Sequence, residues 1–159
     1  MLDVEKFLKA LAQQNVKYIL VGGMAAIGHG MNYATDDLDI CYQRKKENLE
    51  ALVRALTPSH PKLRLFKGLG DGVPFLFDAK TLKNGLNFTL VTHWGSIDLL
   101  GELERIGCYE TLISKAIQFE FFGIQVDTLS LDDLIRAKKA AGRTKDKLHL
   151  LELEAIREI

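Results

Sequence analysis

The chain has 159 residues, of which 47% are hydrophobic and 26% charged, a composition that suits one domain with a hydrophobic core. Its 21 basic and 21 acidic side chains give a formal net charge of zero, which argues against strong non-specific binding of nucleic acid. The two cysteines, Cys41 and Cys108, are too few for a disulfide scaffold or a zinc site.

The sequence carries no pattern of membrane insertion or secretion. No apolar run is long enough to span a membrane. The first residues include Asp3 and Glu5 and lack the pattern of a signal peptide. We therefore expect a cytoplasmic protein with no membrane partner.

The first third of the chain alternates between helical and strand-like patterns. Val4, Phe7 and Leu11 recur at helical spacing, and an apolar run from Tyr18 to Val21 indicates a buried strand. The predicted elements are a helix at 3–13, a strand at Lys17–Val21, a short helix at 23–29, a strand at Leu38–Tyr42 and a helix at about 46–56.

The middle of the chain is less regular. Residues 57–74 contain all three prolines, and we expect a mobile or substrate-facing loop there with a short strand at Leu63–Phe66. Lys83-Asn84-Gly85 resembles the turn of a hairpin. The strands predicted around that turn are Phe75–Phe77 and Leu86–Thr92, and a further strand follows at Ser96–Leu100.

The last third combines a hairpin with helices. Gly123 separates two strand-like runs, and Ser130 followed three residues later by an acid is typical of a helix start. Gly142 suits the end of that helix. The predicted elements are a short helix at Tyr109–Ser114, strands at Gln118–Phe122 and Ile124–Leu129, a helix from Ser130 to about Gly142 and a last helix capped by Thr144.

This order of elements predicts an α/β (α+β) fold, with a small mixed sheet flanked by helices. We expect one domain over residues 1–159. Its core would lie at about 15–129, and a helical C-terminal segment would follow at about 130–159. The sequence contains no repeat, low-complexity segment or clear linker.

Two carboxylates, Asp37 and Asp39, lie two residues apart in the second predicted strand. Residues at this spacing project from one face of a strand, while Leu38 and Ile40 point the other way, into a core. Like charges repel unless a cation lies between them, and Mg²⁺ with its oxygen ligands is the natural partner. Alternatively, both acids cap the strand start or pair with surface lysines.

Asp98 lies in the mostly apolar strand predicted at Ser96–Leu100. An acid in such a run is costly to bury unless it is paired, although it could also face water at a sheet edge. A position beside Leu38–Tyr42 would bring Asp98 to the other two acids. Three carboxylates could then hold two metal ions, as in phosphoryl transfer.

Gly22-Gly23 follows the first predicted strand directly. Glycine lets backbone N–H groups approach an anion closely, and a helix start adds a favourable dipole. The pair matches neither GxGxxG nor the P-loop pattern, so by itself it is weak evidence for a phosphate site.

In order, these motifs resemble those of the nucleotidyltransferase superfamily related to DNA polymerase β. They are Gly22-Gly23, then Thr35-x-Asp37-x-Asp39, then a single Asp in a following strand. Asp132–Asp146 is similar to a signature of bacterial uncharacterised nucleotidyltransferases, which are themselves similar to abortive-infection type toxins and small antibiotic nucleotidyltransferases. The resemblance covers about residues 15–155 and implies the nucleotidyltransferase fold.

The resemblance also implies an activity. The protein would move an NMP from ATP or another NTP to a hydroxyl or phosphate acceptor and release pyrophosphate. Asp37 and Asp39 would bind Mg²⁺, with room for two ions, and Asp98 would bind metal or act as the base. The acceptor stays open between a protein, an RNA and a small molecule.

Further residues take implied roles in nucleotide binding. The residues that would contact the nucleotide are Gly22, Gly23, Thr35, Lys138 and Arg143. Lys138 would reach the triphosphate, while Arg143 and Asp146 would orient the C-terminal helices or contact substrate. The alternative for these last three residues is a structural salt-bridge network between helices.

Two positions depart from the pattern of the relatives. Tyr33 stands where many relatives carry Arg, and His149 stands where they often carry Asp. Either change would fit an altered substrate or a weaker or lost activity. The second functional hypothesis is therefore a catalytically weak or inactive module that binds a nucleotide or a partner, such as a toxin–antitoxin component or a homodimer.

Overall fold

The structure is a computed structural model that describes residues 1–65 and 72–159. Its strands are β1 (Tyr18–Val21), β2 (Asp37–Tyr42), β3 (Lys62–Leu63), β4 (Asn87–Thr92), β5 (Gly95–Leu100), β6 (Glu102–Leu103), β7 (Gly107–Cys108), β8 (Ile117–Phe121) and β9 (Ile124–Thr128). Within the described residues, β6 and β7 form a two-stranded ribbon, and the others form a seven-stranded sheet in the order β3-β4-β5-β2-β1-β9-β8. Parallel and antiparallel neighbours both occur, so the predicted mixed sheet is confirmed.

Helices account for most of the remaining chain. They are α1 (Val4–Gln13), α2 (Gly22–Gly28), α3 (Lys46–Leu56), α4 (Ala79–Asn84), α5 (Tyr109–Leu112), α6 (Leu131–Ala141) and α7 (Thr144–Glu158). Ser130 caps α6 by accepting a hydrogen bond from the backbone N–H of Asp133 at 3.1 Å, and Gly142 ends the helix with φ 64°. In the described ranges, no helix combines the length and apolar character needed to cross a bilayer.

Alternate residues of β2 belong to opposite sides of the sheet. Leu38 and Ile40 are fully buried in a cluster with α1 and α3. Cys41 faces the other way, into a cluster with α5, α6 and α7. Because Asp37 and Asp39 alternate with Leu38 and Ile40, their side chains project toward the α6–α7 side, as strand periodicity predicts.

Two predictions for the middle of the chain are wrong. Phe75–Phe77 belongs to no strand of the described sheet, and Lys83-Asn84-Gly85 is the end of α4 rather than a hairpin turn. The Asp78 side chain caps this helix by accepting from the Thr81 N–H at 2.8 Å, and Leu82 is fully buried. This local cap and buried contact outweigh the turn preference of Asn-Gly.

The irregular segment 57–74 contributes β3 at the edge of the sheet. β3 overlaps the strand predicted at Leu63–Phe66 only at Leu63, and Phe66 lies outside the described residues. Leu63 also exchanges two backbone hydrogen bonds with Val73, at 2.9 and 2.7 Å. The substrate-facing role of this segment stays a prediction.

Candidate functional site

Three carboxylates meet at one position on the sheet. Asp39 of β2 lies directly opposite Asp98 of the parallel neighbour β5, and Asp37 lies two residues earlier on the same face. The leucine and isoleucine residues that alternate with them are buried on the other face. The pairing of β2 with β5 therefore produces the arrangement that the sequence predicts for these acids.

Gly22 and Gly23 pack so closely against neighbouring side chains that no larger residue would fit at either position. Gly22 has φ 65°, and a Cβ at this position would overlap the Oδ2 atom of Asp39. A Cβ on Gly23 would overlap the side chains of Tyr33 and Thr35. The sequence suggests these glycines for phosphate binding, and the structure adds a packing requirement that is independent of any ligand.

All eight residues predicted for the site line one polar cavity of about 410 Å³. They are Gly22, Gly23, Thr35, Asp37, Asp39, Asp98, Lys138 and Arg143. Thr35 fixes the loop before β2, because its hydroxyl donates to the backbone oxygen of Asp37 at 2.9 Å. The cavity thus joins the strand-borne carboxylates to the beginning and end of the loop between α6 and α7.

Asp39 lies in an environment that disfavours its charge. Burial, together with the neighbouring carboxylates of Asp98 and Asp37, raises the pKa of Asp39 to about 8. The positive charge of Lys138 lowers the pKa of Asp39, but it does not outweigh burial and the two carboxylates. Asp39 also forms a side-chain hydrogen bond with Asp98, so the protonation states of the two acids are linked.

Arg64, which the sequence analysis did not single out, bridges the carboxylates of Asp37 and Asp98. Its guanidinium donates to Asp37 Oδ1 at 2.9 Å and to Asp98 Oδ1 at 3.3 Å. The Arg64 side chain is only 13% exposed. The available signal was its place within the short strand predicted at Leu63–Phe66, but strand register across the sheet cannot be predicted from local sequence.

A second charged group lies where α6 meets α7. Asp146, with a side chain 1% exposed, accepts from Lys138 Nζ at 3.3 Å and from Arg143 through its side chain and its backbone N–H. Burial alone would raise the pKa of Asp146, but the hydrogen bonds from Arg143 and Lys138 outweigh it and lower the pKa. The salt-bridge network considered for these residues is therefore present, and both cations also line the cavity.

This network also corrects the predicted start of the last helix. Thr144 is the first residue of α7 rather than its cap. Arg143 holds the cap position, and its backbone N–H donates to Asp146 Oδ2 at 3.2 Å. The acid in the first turn therefore satisfies the free N–H group at this helix start.

The two positions that depart from the relatives lie in contact. The rings of Tyr33 and His149 pack edge to face, with their centroids 4.5 Å apart. Burial, followed by the charge of Lys138, lowers the pKa of His149. Its buried Nδ1 atom has no hydrogen-bond partner in residues 1–65 and 72–159. A neutral aromatic pair therefore joins the loop before β2 to α7.

The donor set fits a divalent cation in chemistry, although not in its present arrangement. Three carboxylates supply the oxygen ligands that Mg²⁺ prefers, and burial, followed by the neighbouring Asp98 and Asp37, raises the pKa of Asp39. Across the described ranges, no three His, Cys, Asp or Glu side chains are already grouped to hold a metal. Arg64 lies between Asp37 and Asp98 in this arrangement.

Comparison with known proteins finds a shared fold. No protein-family model and no curated protein matches the chain. A candidate nucleotidyltransferase from Thermotoga maritima is 17% identical, with a TM-score of 0.58 over 94% of this chain and 88% of that one. The antibiotic-resistance factor ANT(2″)-Ia is 17% identical in its solution structure, with a TM-score of 0.51 over 98% and 87%.

A crystal structure of ANT(2″)-Ia in complex with adenylyl-2″-tobramycin gives a similar result. It is 16% identical, with a TM-score of 0.54 over 98% of this chain and 92% of that one. Identities this low concern the fold, which is the one that the sequence motifs predict. The chain therefore has the nucleotidyltransferase fold.

Proposed function

We propose that the protein is a metal-dependent nucleotidyltransferase that moves an NMP from ATP or another NTP to an acceptor. The observation that carries this proposal is the pairing of Asp39 with Asp98 beside Asp37, in a polar cavity of a fold shared with nucleotidyltransferases. Negative charge concentrated at one point of a cavity suits a reaction that depends on cations and on anionic phosphates.

The three acids have separate roles in this proposal. Asp37 and Asp39 would hold Mg²⁺, and Asp98 would hold metal or accept a proton. Bound Mg²⁺ would supply charge neutralisation for the phosphates, and the site has ligands for two ions. Asp39 would lose its proton on binding a cation, because the positive charge would offset the burial and the carboxylate repulsion that raise its pKa.

The proposed reaction is a displacement at the α-phosphorus of the NTP. An oxygen of the acceptor forms a new bond to that phosphorus, and the bond to the β-phosphate bridging oxygen breaks. Pyrophosphate leaves with the electron pair of that bond. For a hydroxyl acceptor, the Asp98 carboxylate would take the proton, and the chain's main contribution would be positioning.

The nucleotide would lie along the remaining wall of the cavity. Lys138 would contact the triphosphate, and Arg143 would add a second cation from the start of α7. Gly22 and Gly23 would let the backbone approach the phosphates, while Thr35 would hold the loop in place. In support, all of these residues line the same cavity.

The first acceptor class to test is a small molecule with a hydroxyl group. ANT(2″)-Ia was solved in complex with adenylyl-2″-tobramycin, a nucleotidylated small molecule. We also propose that residues 1–159 form one domain, because the same buried cluster contains Ile19 of β1 and Leu153 of α7.

Pyrophosphate release tests the enzyme proposal directly. Purified protein with ATP, GTP, CTP or UTP, Mg²⁺ and a set of hydroxyl acceptors should release pyrophosphate, while Asp39→Asn should lower the rate by roughly 100-fold or more. Asp132→Asn is the control, since its side chain is 76% exposed and lies outside the cavity. Equal rates for Asp39→Asn and the native protein, with both folded by circular dichroism, would overturn the metal assignment.

A non-catalytic binding module is the second candidate, and one observation favours it. Arg64 is paired with Asp37 and Asp98, and Lys138 and Arg143 are both paired with Asp146, so these cations already have anionic partners within the chain. Calorimetry with ATP, with and without Mg²⁺, separates the two functions when combined with the release assay. Binding without pyrophosphate release would support a module that binds a nucleotide or a partner protein.

A further inference from the structure

Arg64 lies where the candidate metal site needs a cation. Its guanidinium spans the gap between Asp37 and Asp98 through two separate nitrogens, Nη1 to Asp37 and Nη2 to Asp98. All three side chains are largely buried, with 13%, 19% and 22% exposed for Arg64, Asp37 and Asp98. Charge-assisted hydrogen bonds in such a place are stronger than surface ion pairs.

The sheet holds Arg64 in this position through its backbone. The Arg64 N–H donates to the Thr89 carbonyl oxygen at 2.9 Å. Thr89 lies directly opposite Asp98, which lies directly opposite Asp39. Residues opposite each other across strands project to the same face, so Arg64 belongs to the same row as the acids. Its contact with them follows from the register of four strands.

Two of the other cations that line the cavity are paired elsewhere. Lys138 and Arg143 both bind Asp146, where α6 meets α7. Of the basic side chains in residues 1–65 and 72–159, Arg64 is the one within 4.0 Å of Asp37 or Asp98. Arg64 therefore places a positive charge in direct contact with two of the three acids.

A metal ion and this guanidinium would compete for the same carboxylates. Mg²⁺ binds its oxygen ligands at about 2.0–2.1 Å, and two cations that close to one pair of acids repel each other. A metal ion bound to Asp37 Oδ1 and Asp98 Oδ1 would therefore take the two contacts that the guanidinium now makes.

We propose that Arg64 is a built-in counter-cation of the site, which holds Asp37 and Asp98 in the metal-free protein and is displaced when a divalent cation binds. This inference rests on the proposed metal site. Arg64 acts here as a positioning residue. Its displacement sets the affinity of the site for metal, and it releases a guanidinium at the cavity wall when the anionic nucleotide arrives.

Mn²⁺ binding in the absence of nucleotide tests this inference without any activity measurement. Free Mn²⁺ is followed by electron paramagnetic resonance while it is titrated into the native protein, Arg64→Met and Arg64→Lys. Arg64→Met should bind Mn²⁺ roughly tenfold more tightly or better, because two charge-assisted hydrogen bonds no longer have to be broken. Arg64→Lys should give an intermediate affinity, because an ammonium group does not form a planar fork across both acids.

Arg54→Met is the matched control. Arg54 is exposed on α3, donates to Gln14 and lies outside the cavity, so its replacement should leave Mn²⁺ affinity unchanged. Asp39→Asn should weaken binding in the same assay. If Asp39→Asn weakens binding but Arg64→Met and Arg64→Lys do not strengthen it, the Arg64 inference is overturned and the metal site stands. If neither native protein nor Arg64 variants bind Mn²⁺, both fail.

Thermal melting gives a second, independent measurement. In EDTA, Arg64→Met should melt below the native protein, because its acids lose their counter-cation. Saturating Mn²⁺ should then raise the melting temperature of Arg64→Met more than that of the native protein. Equal increases in the melting temperatures of the two proteins would contradict the displacement of Arg64 by the metal ion.

Discussion

The strand-borne acids and the α6–α7 charge cluster lie on the same cavity but differ in how their charge is balanced. At the strands, Arg64 contacts Asp37 and Asp98, while burial and the carboxylates of Asp98 and Asp37 raise the pKa of Asp39 to about 8. At the helices, one carboxylate, Asp146, has two cationic partners, and its pKa falls.

This difference separates two uses of buried charge. A group with more cations than acids stabilises the ionised acid and holds two helices together without any ligand. A group with more acids than cations stores repulsion, which a bound cation can relieve. The excess at the strands is the physical argument for a ligand there, and the same argument assigns a structural role to Asp146.

The largest expected effect on stability comes from a substitution in the α6–α7 charge cluster. Asp146→Asn should lower the free energy of unfolding by about 2–3 kcal/mol, less than for a fully buried pair because the Arg143 side chain is 59% exposed. Chemical denaturation at pH 7 measures this change. Glu152→Gln, which removes the same charge from an exposed position of α7, should change stability little. Equal effects for both would remove the contrast between the two regions.

The effect of Asp39→Asn on the free energy of unfolding should be opposite in sign to that of Asp146→Asn. The folded-state pKa of Asp39 is raised, so its contribution to stability is present at acidic pH and is lost as the pH rises toward about 8. In EDTA, the native protein should therefore lose stability between pH 5 and pH 9 relative to Asp39→Asn, with a slope of at most about 1.4 kcal/mol per pH unit for one proton.

Urea denaturation across that pH range measures the difference. Asp132→Asn is again the control, because its exposed side chain should leave the pH dependence unchanged. Parallel stability profiles for the native protein and Asp39→Asn would show that the strand acids are already neutralised. Because Asp39 and Asp98 interact directly, the titration belongs to the pair.

Local patterns in the sequence predicted the positions of the strand-borne acids well. Strand periodicity put Asp37 and Asp39 on one face, and the apolar run around Asp98 marked it as a strand acid that needed a partner. The sequence also indicated that a strand carrying Asp98 would bring the three acids together if it lay beside Leu38–Tyr42. Arg64 could not be found in this way, because its contact depends on register across four strands.

The other failures have the same origin in contacts between distant residues. The Asn-Gly pair before Leu86 was interpreted as a hairpin turn, but the cap from Asp78 and the burial of Leu82 make the segment a helix. Tyr33 and His149 were each identified as departures, and nothing local indicated that they touch. Their contact joins residues 116 positions apart, so only the folded structure reveals it.

The smallest expected effect comes from this aromatic pair, which links the two regions. Edge-to-face aromatic contacts contribute about 0.5–1.5 kcal/mol, and the lowered pKa of His149 keeps the pair neutral at pH 7.5.

Tyr33→Arg and His149→Asp alone should each destabilise the protein. Together they introduce an Arg and an Asp at adjacent positions, so the double variant should lose less stability than the sum of the single changes. Urea denaturation of all four proteins measures the coupling. Strict additivity would mean that the Tyr33–His149 contact does not couple the loop before β2 to α7.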